Sequence, residues 1–422
     1  MLLDNDKKQS SFEILRLKDF RNFILGRFFL TLAIQMQMTT IGLQIYYEHG
    51  KSVFILGMIG LFEAVPFILT SLFSGHVADS VERRKIILTG IFSLLIGSGL
   101  LWFSCLGNFS FVRHYNYYAL FAVVILFGVI RSFLAASVSS FMSQLVERRQ
   151  YTHSATWNST VWHIASILGP VLAAWIYGYH DLLNAKLTYL INCGLFAVAF
   201  LSFLRIGPKP LLEKIKEESI FKSLKAGIHF VFNTKMLLSA ISLDLFAVLF
   251  GGAIAILPAF NDKILHAGPE AFGWLRTAPA VGAVLMAVVM TVKPPSKKAG
   301  VALIWAVIAF GLFTVAFAFC TDFWPAFIML LLAGAFDNIS VIVRHSILQL
   351  MTPENMRGRV SAVNNIFIGS SNEIGGFESG LAARLVGLVP SIVFGGCMTI
   401  LVVVGVHKLN PKLKKLDLTD YQ

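Results

Sequence analysis

Ser154-Ala155-Thr156-Trp157-Asn158, with Gly169 eleven residues beyond the asparagine, and Ser361-Ala362-Val363-Asn364-Asn365, with Gly376 eleven residues beyond, set one pattern twice in this chain. Each copy follows a Gln-Leu pair, Gln144-Leu145 and Gln349-Leu350. Around the first copy lie apolar runs at approximately 22–46, 54–78, 86–106, 117–144, 154–178 and 187–204. Around the second they lie at 237–261, 271–292, 300–320, 324–351, 361–386 and 389–407. The pattern therefore opens the fifth run of each set of six. A span of the bilayer core takes roughly 20 apolar residues, and a helix satisfies its own backbone polar groups there. The ten-residue alternation of a membrane β-strand is not seen. The expected fold class is an all-α membrane protein, with twelve transmembrane helices in two pseudo-symmetric six-helix bundles. The expected domains are residues 1–204, a connector at 205–236, and residues 237–422.

Composition leads to the same class. Of 422 residues, 56% are hydrophobic and 14% charged, and the mean hydropathy is +0.73. A soluble domain carries about 25% charged residues, so an ordinary soluble enzyme and a disordered chain are both excluded. Cys105, Cys193, Cys320 and Cys397 are scattered singly, which excludes a disulfide scaffold and offers no zinc or redox spacing. No metal site and no cofactor are expected. Gly50-Lys51-Ser52 resembles the end of a phosphate-binding loop, but Ile45 stands where its first glycine belongs. About twenty mostly polar residues precede the first apolar run, with no cleavage pattern after it, so no signal peptide is read here.

The net charge of +12 is distributed by topology. The N-terminus, the even-numbered loops and the C-terminus hold 26 Lys and Arg residues, whereas the odd-numbered loops hold 4. Positive residues stay cytoplasmic, so both termini are expected inside, the bilayer accounts for the charge asymmetry, and nucleic acid is not a partner. The connector is rich in Lys and Glu, contains Pro208 and Pro210, and ends in an amphipathic stretch with Ile220, Leu224, Ile228 and Val231, the pattern of an interfacial helix.

Ionisable groups inside lipid are costly and point to function or to pairing. Glu63, Asp244, Asp337, Glu373 and Glu378 lie within spans, as do Arg27, Arg131, Arg276, Arg344 and Arg384. Glu63 falls roughly 22 Å of helix before the loop that follows its span, which places it toward the outer side. Burial and a neighbouring guanidinium push a carboxyl in opposite directions, so an acid that alternates between such surroundings takes up and releases a proton. Asp337 and Asp244 are the first candidates for proton coupling, then Glu63 and Glu373, with Arg131 as counter-charge. Gln37, Thr40 and Gln44 share one helical face, as do Thr156, Thr160 and His163, and Asn365 and Asn372. These faces are the expected wall of a substrate cavity, and interhelical hydrogen bonding accounts for them equally well.

The loop between the second and third runs reads Gly75-His76-Val77-Ala78-Asp79-Ser80-Val81-Glu82-Arg83-Arg84-Lys85. It resembles the signature loop of the major facilitator superfamily, matching at Gly75, Asp79, Arg83 and Arg84. Ser80 stands for the usual first basic residue and Glu82 for the second glycine. In that family the loop latches the cytoplasmic side. Arg131 with Ala135 and Ala136 resembles a motif of proton-coupled members. Ala165-x-x-x-Gly169-Pro170-x-x-Ala173-Ala174 resembles the Gly-Pro motif of antiporters, although small residues also serve close packing.

Asp337-Asn338, Arg344, the run Thr352–Asn364 and Ser242-Leu243-Asp244-Leu245-Phe246 are similar to the bacterial enterobactin-exporter-like branch, which includes siderophore and macrolide exporters. The resemblance implies a monomeric, non-enzymatic transporter of the bacterial inner membrane. It would exchange protons for a small amphipathic molecule by rocking two halves about a central site. The alternatives are an uncoupled or uptake facilitator, a metal-ion carrier on the same fold, and a transport-inactive receptor or scaffold.

Overall fold

The computed structural model describes residues 13–48, 50–106, 110–147, 150–178, 185–209, 220–292, 297–353 and 356–418. Six helices form the first bundle: α1 (Lys18–Glu48), α2 (Val53–Ser80), α3 (Arg83–Ser104), α4 (Ser110–Met142), α5 (Tyr151–Gly178) and α6 (Ala185–Leu204). A connector helix α7 (Ile220–Asn233) follows. The second bundle contains α8 (Lys235–Phe250), α9 (Leu257–Lys263), α10 (Pro269–Val292), α11 (Ala299–Ala318), α12 (Phe323–Met351), α13 (Arg357–Val386) and α14 (Leu388–Leu409). Among the described residues no strand occurs.

Eleven of these spans are long and apolar enough to cross a bilayer by composition, with α8 and α9 counted as one. The twelfth, α13, is 30 residues long, or about 45 Å at the helical rise. It is too polar to be recognised by hydropathy, and it packs between α2 and α8. Large apolar side chains such as Leu69, Leu100, Trp305 and Trp324 face outward and are more than half exposed. A water-soluble monomer rarely shows apolar surface so widely, and lipid is the solvent that suits it.

One span departs from the continuous helix expected over 237–261. Gly251 and Gly252 end α8, a 3-10 turn runs Ala253–Ile256, and α9 restarts with Pro258 in its first turn. Gly lowers helix stability, and Pro suits a helix start. A Cβ on Gly252 would press on the backbone carbonyl of Gly375 in α13, 2.7 Å away. The break thus lets two backbones meet where side chains would hold them apart.

Among the described residues, the start of α1, the ends of α4 and α6, the start of α11 and the ends of α12 and α14 lie at one end of the molecule, here termed the basic end for the Lys and Arg residues that flank these helices in sequence. Each bundle has its own core toward that end. Phe20, Phe23, Phe141, Phe196 and Phe203 are buried together in the first bundle. Leu237, Leu303, Val343, Ile347 and Val403 are buried together in the second. At the opposite end a single core joins both, with Tyr46, Tyr177 and Tyr189 from one bundle against Phe260, Phe272 and Phe317 from the other. The molecule is therefore closed at that end, and its cavity opens toward the basic end.

In the connector, α7 lies against the start of α13: a Cβ on Gly227 would sit 2.9 Å from the Arg359 carbonyl. Val231 is buried and Ile228 exposed, so the expected apolar stripe is partly used for docking. Residues 210–219, and with them Pro210, lie outside the described residues, as does the side chain of Ile220.

Helices α10 and α12 pack with almost no intervening side chain. A Cβ on Gly334 would run into the Pro279 carbonyl, and one on Gly282 into that of Leu331. Overpacking of this kind costs about 1–3 kcal/mol. Gly334→Ala is expected to lower the melting temperature of the detergent-solubilised protein by several degrees. Gly194→Ala, where a Cβ meets nothing within 4 Å, should leave it unchanged or raise it. Equal melting temperatures for the two variants would contradict the close packing described here.

Candidate functional site

Between the bundles lies a cavity of about 640 Å³, walled by α1, α2, α4 and α5 on one side and by the broken segment 251–258, α10, α12 and α13 on the other. Met38, Leu56, Phe127, Trp162, Phe272 and Leu330 make much of it apolar. A small number of polar groups within an apolar pocket is the usual form of a small-molecule site.

Its closed end is organised by Arg131. The guanidinium ion-pairs with Glu63 of α2 and with Glu373 of α13, so one cation on the first bundle holds an acid of its own bundle and an acid of the other. The Phe67 ring lies 5.2 Å from the same group. Glycines bring these backbones together: a Cβ on Gly128 of α4 would strike the Glu63 carbonyl, and one on Gly60 of α2 would strike that of Glu373. Arg276 of α10 lies within electrostatic range of Glu63 and Glu373 and also lines the cavity.

A second charged pair sits inside the second bundle. Asp244 of α8 and Arg344 of α12 ion-pair at 2.5 Å, both with side chains 3% exposed. Asp337 stands seven residues, or about 10 Å, before Arg344 on α12. It lines the cavity, and among the described residues no hydrogen bond or ion pair engages it. The five expected proton-coupling residues therefore fall into three settings. Glu63, Arg131 and Glu373 form one cluster, Asp244 is held by Arg344, and Asp337 makes no direct pair among the described residues but lies within electrostatic range of Asp244 and Arg344. Arg131 faces neither aspartate.

The expected cavity wall needs revision. Asn372 lies on it, but Gln37, Gln44, Thr160, His163 and Asn365 do not. On α1 the cavity face is Arg27, Thr31, Ile34, Gln35, Met38 and Gly42. Residues advance about 100° each around a helix of 3.6 residues per turn, so Gln37 points away from the face that holds Gln35. Gln44 instead accepts from the Tyr189 hydroxyl at 2.8 Å and donates to Glu48 at 2.9 Å. On α5 the cavity face is Asn158 and Trp162. Thr160 donates back to the Thr156 carbonyl at 2.8 Å, and Asn365 is exposed. Arg27, Arg276, Gln35 and the backbone of the broken segment were missed as lining groups. The Gly251-Gly252 pair in mid-span was the signal for the last of these.

Beyond Arg131, at the end away from the basic one, further contacts between the bundles complete the closure. The Tyr46 hydroxyl donates to Asp262 at 2.9 Å, and Lys51 bridges to the same carboxylate at 2.9 Å. Phe54 packs at a tilt against Phe377 of α13, with ring centroids 6.4 Å apart, and lies 4.7 Å from the Arg384 guanidinium.

A family model for the Major Facilitator Superfamily matches residues 23–376, most of the chain. The chain belongs to the major facilitator superfamily. It is similar to the staphyloferrin A transporter of Staphylococcus aureus, with 23% identity over 85% of this chain and 88% of that one. It is also similar to the multidrug efflux pump Tap of Mycolicibacterium fortuitum, with 23% identity over 88% and 90%. In fold it resembles a D-xylose–proton symporter, with TM-score 0.73 and 14% identity over 97% of this chain and 100% of that one. A bacterial homologue of the human lysosomal transporter Spinster gives TM-score 0.70 and 12% identity over 96% and 98%. The protein is a transporter and not an enzyme.

The superfamily's signature loop lies between α2 and α3. Arg84 donates to the Leu204 carbonyl at 2.8 Å and to that of Phe203 at 3.4 Å, tying the loop to the end of α6. Lys85 reaches Glu82 at 3.5 Å. Gly75 is exposed, and a Cβ there would meet nothing within 4 Å outside its own helix backbone. Arg83 is half-buried. The side chain of Asp79, and Glu354 with Asn355 of the second-half motif, lie outside the described residues. The Gly169-Pro170 stretch is a packing seam. A Cβ on Gly169 would meet Gln35 of α1 at 2.5 Å, while Pro170 and Ala174 face Gly273 of α10.

Arg131 neutralises two acids, so its loss and the loss of one acid are not equivalent. Breaking a buried pair by removing one partner costs about 3–5 kcal/mol when a charge is left uncompensated. Arg131→Gln leaves two carboxylates together and should open the closed end. Glu63→Gln leaves Arg131 with Glu373 and should change it little. The check is maleimide labelling of a single cysteine introduced at Ala259, buried in the shared core of the closed end, in a variant freed of native cysteines. Labelling that is no faster in Arg131→Gln than in Glu63→Gln would refute the bridging role.

Proposed function

We propose that this major facilitator is a proton-coupled exporter of a small amphipathic molecule, a siderophore or a drug-like compound. It works as a monomer in a bacterial inner membrane with both termini in the cytoplasm. Residues 1–204 and 237–422 are the rocking halves and 205–236 their connector. The observation that carries this reading is Arg131 of the first half bound to Glu373 of the second, beside a cavity that also holds the unpaired Asp337. Opening the closed end separates α2 from α13 and takes Glu373 from its cation. A charge inside lipid needs a counter-charge, so the rocking motion is linked to the supply of a cation, here the proton, to this site. Cargo entering from the basic end competes with the state that binds the proton, and this competition is antiport. The relatives named for staphyloferrin A transport and for multidrug efflux fit such a cargo.

The test uses purified protein in liposomes that enclose a pH-sensitive dye. With a proton gradient imposed, adding a catecholate siderophore or a lipophilic drug should drive proton flux. Asp337→Asn is expected to reduce that flux at least tenfold, with binding of the cargo retained. Cargo moving without protons would leave an uncoupled facilitator, and unchanged coupling in Asp337→Asn would make that residue structural.

A further inference from the structure

One cavity cation has no place in the proton-coupling network. Arg27 of α1 lines the cavity, and its buried Nε has no hydrogen-bond partner. Among the described residues no acid pairs with it. Asp19, two turns back on α1, is engaged by Lys209 at 2.7 Å, and the cavity acids Glu63 and Glu373 belong to Arg131. Burying an unpaired charge is costly, and a cavity that keeps one is short of an anion.

Near Arg27 lie other polar atoms that have no partner among the described residues. The Thr31 hydroxyl, one turn further along α1, is buried without a partner, as is Oδ1 of Asn158 on α5. The two helices run parallel, and their contacts fix the register. Gln35 reaches Ser166, 131 residues later in sequence, at 3.4 Å, and Glu48 meets Tyr177, 129 residues later, at 3.2 Å. The same offset sets Asn158 level with Arg27, and Thr31 level with Trp162. Trp162 is 41% exposed and also lines the cavity. Two adjacent turns of two helices thus present a guanidinium N–H, a hydroxyl and an amide, with an indole face next to them. An Asn amide presents its NH2 or its oxygen according to its rotamer, so all three groups are able to donate to one oxyanion.

We propose that Arg27, with Thr31 and Asn158, seats an acidic group of the cargo, so that the transported molecule is an organic anion. Its carboxylate lies on Arg27, and its aromatic or apolar body lies against Trp162. The inference rests on the transport reading for its physiological meaning. It concerns binding alone, which is measured without any gradient. Arg–carboxylate contacts are charge-assisted and frequently bidentate, and a cationic cargo would meet Arg27 first on entering from the basic end.

The experiment is isothermal titration of the full-length protein in detergent with 2-naphthoate, its neutral amide 2-naphthamide, and 2-naphthylmethylammonium. These probes share one ring system and differ in charge. Naphthoate should bind at least tenfold more tightly than the amide, and the ammonium more weakly than either. Arg27→Gln should abolish the preference for naphthoate over the amide, and Arg27→Lys should retain part of it. Asn158→Asp, which sets a second carboxylate beside the site, should weaken naphthoate at least tenfold as well. Size-exclusion elution and melting temperature establish that each variant is folded. If Arg27→Gln is unfolded, Arg27→Lys and Asn158→Asp decide the matter. Equal binding of all three probes, tighter binding of the ammonium, or undiminished naphthoate binding in the folded variants overturns the proposal. Failure of cargo-driven proton flux in liposomes would remove proton coupling and leave the site standing, so the two readings fail separately.

Discussion

Charge inside lipid has to be answered by charge, and in this molecule one guanidinium answers for two bundles. Arg131 takes Glu63 from its own half and Glu373 from the other, and much else in the structure serves that contact. Gly60 and Gly128 remove the side chains that would keep α2, α4 and α13 apart. The shared core of Tyr46, Tyr177, Phe260 and Phe317 excludes water from that end, which keeps the local dielectric low and the pairing strong. The polar helix α13 is tolerated in the membrane because α2 and α8 cover it.

The second half contributes unwound backbone. Its broken seventh span supplies Gly251, Gly252, Ala253, Ile254, Ala255 and Pro258 to the cavity wall, at the point where α8 ends and a 3-10 turn begins. Irregular backbone at membrane depth is tolerated where it lines a cavity or is buried in protein. Transporter folds commonly place such breaks at the substrate site. The Asp244–Arg344 pair lies behind this wall and is almost fully buried. It fixes α8 to α12 so that the break is held by a rigid support.

Much of the fold was legible in the sequence, because a span in lipid needs a long apolar run and nothing subtler. The repeat around Asn158 and Asn365 located the two halves, and the signature loop named the family. Even α13 was readable: its run at 361–386 was read as a span, and the repeat marks its start, although it is less apolar than the other spans. The cavity wall was less legible. Gln37 and Gln44 form as regular a polar stripe as Thr31 and Gln35. In a helix buried on every side, a polar residue that bonds a neighbouring helix and one that faces a cavity have the same spacing. Only the packing tells which face of α1 turns inward. Glu63 and Glu373 could be listed as buried acids, but their sharing of Arg131 depends on contacts 68 and 242 residues apart in sequence.

The glycine seam at the closed end has a consequence for the energy supply of any cell that houses this protein. Gly57 and Gly380 bring α2 and α13 into backbone contact, so the Cβ of a residue at either position would lie under 3 Å from the other glycine. Where main chain meets main chain in this way there are no side chains to swing aside and no gap for a file of water molecules. Such a file would conduct protons down their gradient whether or not cargo was aboard. The tightness of that seam therefore bears on the electrochemical potential of the whole membrane, a quantity that one transporter with a small leak would drain continuously.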